Sequence, residues 1–146
     1  MNYENIEILF AEDSVDDAAL TMRALRKGGL SNTIFHVKDG AEALDFTFCK
    51  GIYSSRNINE KPKVILLDLK MPKVSGMEVL EKLKADPAFR TIPIVILTSS
   101  KEDPDIKRCY ELGANSYIVK PVESENFFQT IKDLSLYWMI SNQPPH

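Results

Sequence analysis

Val64 to Asp68 reads VILLD, four apolar residues in a row closed by a carboxylate. An unbroken apolar run of that length suits a strand covered on both faces, because a strand with one wet face alternates apolar with polar. Ile94 to Leu97 (IVIL) repeats the pattern and is closed by Thr98. Ile6 to Ala11, Ile34 to Val37 and Tyr117 to Val119 complete the set of strand candidates. Longer stretches of helical spacing separate these runs, and that alternation is the signature of a parallel sheet wrapped by helices, a three-layer α/β domain.

The intervening helices carry start and stop signals. Ser14 is placed to cap the first, whose inward face is expected to be Val15, Ala18, Ala19, Met22 and Leu25, with Gly28 and Gly29 ending it. The second follows Asp39-Gly40 and carries Ala41, Leu44 and Phe48 on its stripe. The third is expected from about Gly76 to Lys84, burying Val79, Leu80 and Leu83. Asp103-Pro104 opens the fourth, with Ile106, Cys109 and Tyr110 inward and Gly113 as its stop. Ser124 opens a fifth, in which Phe127, Phe128, Ile131, Leu134 and Trp138 repeat at helical spacing and read as core.

The 146 residues suit one domain spanning 1–146, with a core at about 5–140. Folding a chain of this size buries about two thirds of its unfolded surface, so one substantial core is expected. With 44% hydrophobic and 27% charged residues the composition is that of a globular protein, not of a disordered or collagenous one. No apolar run approaches the ~18 residues of a spanning helix. Met1 to Glu7 is acidic and polar, without the basic-then-apolar order of a secretory signal, so a cytoplasmic protein with no membrane contact is expected. Eighteen basic against 21 acidic residues give a net charge of −3, and no basic run tracks phosphates, so no direct nucleic-acid binding is expected. Cys49 and Cys109 lie in apolar helical patterns without zinc spacing and read as inert buried thiols. Gly51 to Lys63 is a long connection without clear periodicity, read as a mobile loop or a partner surface. The tail 142–146 is expected to fray.

In an open α/β sheet, ligands bind beyond the carboxyl ends of the strands. Those ends carry Glu12-Asp13, Asp68, Thr98 and Lys120. Two carboxylates about 4 Å apart repel by roughly 4 kcal/mol at an effective dielectric of 20, so three on one rim must protonate, spread apart or hold a cation. Hard oxygen donors without a nearby His or Cys pair favour Mg²⁺. A divalent ion and Lys120 together balance three carboxylates and leave a neutral pocket suited to an incoming phosphoryl group. No Ser/His or Cys/His pair is present to supply a nucleophile, since His36 falls on a strand and His146 in the tail, which leaves a carboxylate. Asp68 is the best placed, following the most apolar strand, and carboxylates form aspartyl phosphates.

Read in order, these residues form blocks: Glu12-Asp13; D-x-x-M-P-x-x-x-G at Asp68, Met71, Pro72 and Gly76; Thr98-Ser99; and Tyr117-x-x-Lys120-Pro121. Together they resemble the receiver domain of two-component response regulators, over nearly the whole chain. GANSYIVKPV, the long loop before the third strand and the absence of an output domain are most similar to stand-alone receivers that partner phytochrome-type and other hybrid sensor kinases. The resemblance implies a flavodoxin-like (βα)5 doubly wound sheet of strand order 2-1-3-4-5. It implies that Asp68 is the phosphoacceptor, that Asp13, Asp68 and the Lys70 backbone carbonyl ligate Mg²⁺, and that Glu12 orients a metal-bound water. Lys120 would neutralise the phosphoryl group, Thr98 would hydrogen-bond it, Tyr117 would be the rotameric switch behind Thr98, and Lys120-Pro121 would form a cis peptide.

Function then follows as an expectation: phosphotransfer from a sensor histidine kinase or hybrid kinase, followed by a change in the surface made by the fourth helix, fifth strand and fifth helix. Such a protein is no enzyme beyond its own phosphotransfer and slow autodephosphorylation. The aromatics Phe127, Phe128, Tyr137 and Trp138 point to a partner or homodimer surface in the same region. Lys70 and Ser100 stand where this family varies and tunes hydrolysis. Against a haloacid-dehalogenase-type phosphatase stands Lys70, which occupies the second acidic position of D-x-D. The acidic EDSVDD after the first strand is unlike a flavin phosphate cradle, and no G-x-x-x-x-G-K of a Walker NTPase occurs. A docking-only pseudo-receiver is the remaining alternative, and the intact acids argue against it.

Overall fold

The computed structural model describes residues 6–27, 33–99 and 103–120. The expected fifth helix, the Lys120-Pro121 peptide, Gly28, Gly29, Ser100 and the tail lie outside the described residues.

Five strands, β1 (Ile8–Ala11), β2 (Ile34–Val37), β3 (Val64–Leu67), β4 (Ile94–Thr98) and β5 (Ser116–Val119), pair in parallel in the order β2-β1-β3-β4-β5. The fold is thus the expected flavodoxin-like one, with register partners Ala11 and Leu67, Leu67 and Ile96, and Thr98 and Val119. β1 begins at Ile8 and not at Ile6, because the amides of Glu7 and Ile8 both donate to the Thr33 carbonyl, each at 3.0 Å, before the ladder settles into its register.

Four helices, α1 (Val15–Lys27), α2 (Gly40–Phe48), α3 (Gly76–Ala85) and α4 (Asp103–Glu111), connect the strands. The pleat sends successive side chains to opposite faces, which divides the interior in two. Leu9, Ala11, Ile65, Leu67, Ile94 and Ile96 pack with Ala43 and Phe46 of α2, Val79, Leu80 and Leu83 of α3 and Cys109 of α4. Ile8, Phe10, Val64, Leu66, Val95 and Leu97 pack on the other face with Ala18, Ala24 and Leu25 of α1.

The helix faces differ in part from the sequence reading. Val15 is 80% exposed and Ala19 is exposed, while Thr21 and Ala24 are buried. The first turn of α1 sits level with the loops at the strand ends, so its apolar residue has no sheet to cover. α2 buries Gly40, Ala43, Phe46 and Thr47, and Leu44 and Phe48 flank that stripe, half-buried. In α4 Cys109 is buried, Ile106 is half-buried and Tyr110 is exposed. Cys49 stands outside the helix as the left-handed residue that ends α2, with φ of 56°, and is half-buried, not buried.

The connection after α2 is built. A one-turn 3-10 helix, Gly51–Tyr53, buries Tyr53, whose hydroxyl donates to Glu42 Oε2 at 2.7 Å. Arg56 lays its guanidinium over the Phe46 ring at 3.8 Å and donates to the carbonyls of Phe46 and Glu60 and to Cys49 Sγ. Polar residues without periodicity gave no hint of this, because the packing is made by single side chains and not by a repeating face. Among the described residues no helix is long and apolar enough to cross a membrane.

Candidate functional site

At the carboxyl edge of the sheet the backbone ladder continues one residue past the strands. The Glu12 amide donates to the Val37 carbonyl at 3.0 Å and the Asp68 amide donates to the Ala11 carbonyl at 3.1 Å. These bonds set Glu12 and Asp68 side by side, both buried. Exposed Asp13 completes a group in which one carboxylate oxygen from each of Glu12, Asp13 and Asp68 lies within 4.8 Å of the others.

The loops at this rim are held by local bonds. Ser14 Oγ caps α1 by accepting from the Asp17 amide at 3.2 Å, and Glu12 Oε2 accepts from the Ser14 amide at 3.2 Å. Asp68 Oδ1 accepts from the Lys70 amide at 3.3 Å, which folds the loop after β3 back over the carboxylate. His36 Nε2 donates to the Glu12 carbonyl at 2.8 Å, so this histidine supports the backbone of the acidic pair.

From the other side the Lys120 amide donates to the Thr98 carbonyl at 2.7 Å, prolonging the β4-β5 ladder and aiming the side chain across the edge. Its side chain is 12% exposed, and its ammonium bonds Glu12 Oε1, Asp17 Oδ2 at 3.0 Å and Asp68 Oδ2 at 3.3 Å. Thr98 is fully buried at the end of β4. Tyr117 is half-buried on β5, in register with Ile96, and packs against the core of the α2-α3-α4 face.

The electrostatics show an excess of negative charge. Burial, hydrogen bonding with Asp68 and the Asp68 charge push the Glu12 carboxyl up to about 7, with Lys120 opposing them. Burial pulls the Lys120 amine down, but its bonds to Glu12 and Asp17 and the charges of Asp68 and Glu12 outweigh that and raise it to about 12. A site that retains its proton on lysine this firmly and still disfavours a carboxylate charge has room for a further cation. Its donors are hard oxygens at mutual bonding reach, with no imidazole or thiolate among them, and this set fits Mg²⁺ or a similar ion.

The structure therefore brings together Glu12, Asp13, Asp68 and Lys120, with Lys70 in the loop over Asp68, and places Thr98 and Tyr117 on the adjoining strands. Pro121 lies outside the described residues. Asp17 was not singled out by the sequence reading. It occupies the first turn of α1, where an acidic residue is the ordinary complement of a helix amino terminus, and that general role hides a specific one. The available signal was an acid in the stretch EDSVDD after the first strand, which does not separate Asp17 from Asp16.

Comparison with known proteins agrees with this geometry. Residues 8–132 match the family model of the response regulator receiver domain. The probable methanogenesis regulatory protein FilR2 of Methanothrix harundinacea is 38% identical over 139 residues, covering 94% of this chain and 86% of its own. Response regulator Rcp1 of Synechocystis is 33% identical over 132 residues, covering 90% and 88%. Its Mn²⁺-bound crystal form superimposes with a TM-score of 0.75 at 32% identity, over 95% of this chain and 98% of that one. The bacteriophytochrome response regulator RtBRR superimposes with a TM-score of 0.82 at 47% identity, over 95% of this chain and 83% of that one.

Proposed function

The chain belongs to the response regulator receiver family of two-component signalling, and on that footing we propose that it takes a phosphoryl group from a sensor histidine kinase onto Asp68. The observation that carries this reading is the buried Asp68 carboxylate, grouped with Glu12 and Asp13 and with the Lys120 ammonium 3.3 Å from its Oδ2. An Asp68 oxygen attacks phosphorus, the new O–P bond forms as the N–P bond of a phosphohistidine breaks, and the imidazole leaves with the bonding pair. Lys120 neutralises the transferred oxygens, and the Thr98 hydroxyl hydrogen-bonds one of them.

A divalent ion, Mg²⁺ by the hardness of the donors, would be held by Asp13, Asp68 and the Lys70 carbonyl with Glu12 orienting its water, and would supply positive charge to the phosphoryl oxygens. Rcp1 is described in a Mn²⁺-bound form, which supports divalent-cation binding by this chain. Phosphorylation exchanges a charge of −1 for roughly −2. Recruitment of Thr98 then frees space for Tyr117 to turn inward, and the surface around α4 and β5 changes its population of states.

Relatives named for phytochromes support a kinase of that class as the donor, and we read the location as cytoplasmic. We read 1–146 as one receiver domain, with Lys120-Pro121 as its cis peptide and the segment Phe127 to Trp138 contributing to a homodimer or partner surface. Light scattering with and without beryllofluoride checks the dimer; a monomer in both removes it. For phosphotransfer, acetyl phosphate and Mg²⁺ should add one phosphate to the wild type, seen as a single mass shift, and EDTA should prevent it. Full labelling of Asp68→Asn would reject Asp68 as the acceptor.

A further inference from the structure

Lys120 has three N–H donors, and three carboxylates take them: Glu12, Asp17 at 3.0 Å and Asp68 at 3.3 Å. Two of these acids belong to the group already described, and the third does not. Asp17 stands on α1, its side chain 43% exposed, and reaches the ammonium at least as closely as Asp68 does. A phosphoryl group arriving on Asp68 needs one of those donors and brings further negative charge into the same space.

We propose that Asp17 is a positioning residue that restrains the receiver: it holds Lys120 toward α1 and sets a fourth carboxylate against the incoming phosphoryl group. The inference rests on the proposed role of Asp68 and goes beyond it, because no part of that chemistry requires an acid on α1. Three carboxylates balance one divalent ion and one lysine, and Asp17 tips the same pocket to a net charge of −1. The consequence has a definite sign. Removing the Asp17 charge weakens its hold on an ammonium N–H, which a phosphoryl oxygen then captures more readily, and lowers repulsion of the anionic donor. Both effects favour the phosphorylated state and leave the fold in place, since the α1 cap is made by Ser14 Oγ and the Asp17 backbone amide.

The test compares Asp17→Asn with Asp16→Asn. Asp16 is its exposed neighbour, and among the described residues it makes no ion pair with Lys120. Both substitutions change the net charge by one, and only the first touches the lysine. Beryllofluoride, which mimics the phosphoryl group on a carboxylate, should bind Asp17→Asn about three- to tenfold more tightly than wild type, the scale of one solvent-screened charge in an exposed ion pair. Labelling by acetyl phosphate should accelerate in parallel. Asp16→Asn should match wild type in both, and Asp17→Glu, which keeps the charge, should return to wild-type values. Equal behaviour of Asp17→Asn and Asp16→Asn, or weaker beryllofluoride binding by Asp17→Asn, would overturn the restraint while leaving Asp68 as acceptor. Failure of the wild type to bind beryllofluoride or take label would overturn the receiver chemistry and this inference together.

Discussion

The carbonyl oxygen of Asp68 lies 2.0 Å from where a Cβ on Gly76 would sit. The first residue of α3 therefore rests directly on the backbone of the central carboxylate, closer than any side chain permits. Through the Gly76 amide, which donates to the Leu69 carbonyl at 2.9 Å, the helix also fixes the loop that follows Asp68. The glycine eight positions after the aspartate is a consequence of that approach.

Gly76→Ala should accordingly destabilise the fold by about 1–3 kcal/mol, as overpacking of a close contact does, although alanine is the better helix former. Urea unfolding measures it. A variant at least as stable as wild type would mean that the backbones separate without cost.

Divalent ions should stabilise the folded protein, because the folded state gathers Glu12, Asp13 and Asp68 and the unfolded chain does not. At ten times Kd the gain should be about 1.4 kcal/mol, read as a rise in Tm with Mg²⁺. Asp13→Asn should lose most of it. An Mg²⁺ response unchanged in Asp13→Asn would place the ion elsewhere.

Arg56 should be worth more than a surface arginine. It contacts the Phe46 ring, two carbonyls and a sulfur, at the carboxyl end of α2 where a positive charge is favoured. Arg56→Ala should cost roughly 1–3 kcal/mol in urea unfolding. Arg56→Lys should not restore it, since an ammonium cannot stack flat on the ring and reach all three acceptors. A loss below about 0.5 kcal/mol, the usual size of a surface substitution, would show the loop to be held by Tyr53 alone.

Cys109 should make stability fall in alkali. Burial, helped by the charge of Asp105, raises its thiol from 9.0 to about 11, so the unfolded chain releases this proton first. The contribution is intact below pH 9 and is lost as pH rises toward 11. At pH 10 it should amount to about 1.4 kcal/mol relative to pH 7. Urea midpoints of wild type and Cys109→Ala across this range isolate it; parallel pH profiles would refute it.

Local chain chemistry carries the five strand runs, the carboxylates and the lysine that end them, and the glycine that opens α3, because apolar continuity and strand-end position are properties of neighbouring residues. The amino acids alone therefore sufficed for the sheet, its order through the family's motif blocks, and the meeting of Glu12, Asp13, Asp68 and Lys120 on one rim. They did not suffice for the buried face of α1, where Val15 fits the helical stripe yet lies past the edge of the sheet. Nor did they reveal the anchoring of Arg56, or which of two adjacent aspartates reaches Lys120. Asp16 and Asp17 are chemically identical, and a turn of about 100° per residue separates them. Only the docking angle of α1 against the sheet directs one toward the ammonium and the other toward water, and that angle is set by packing between elements distant in the chain.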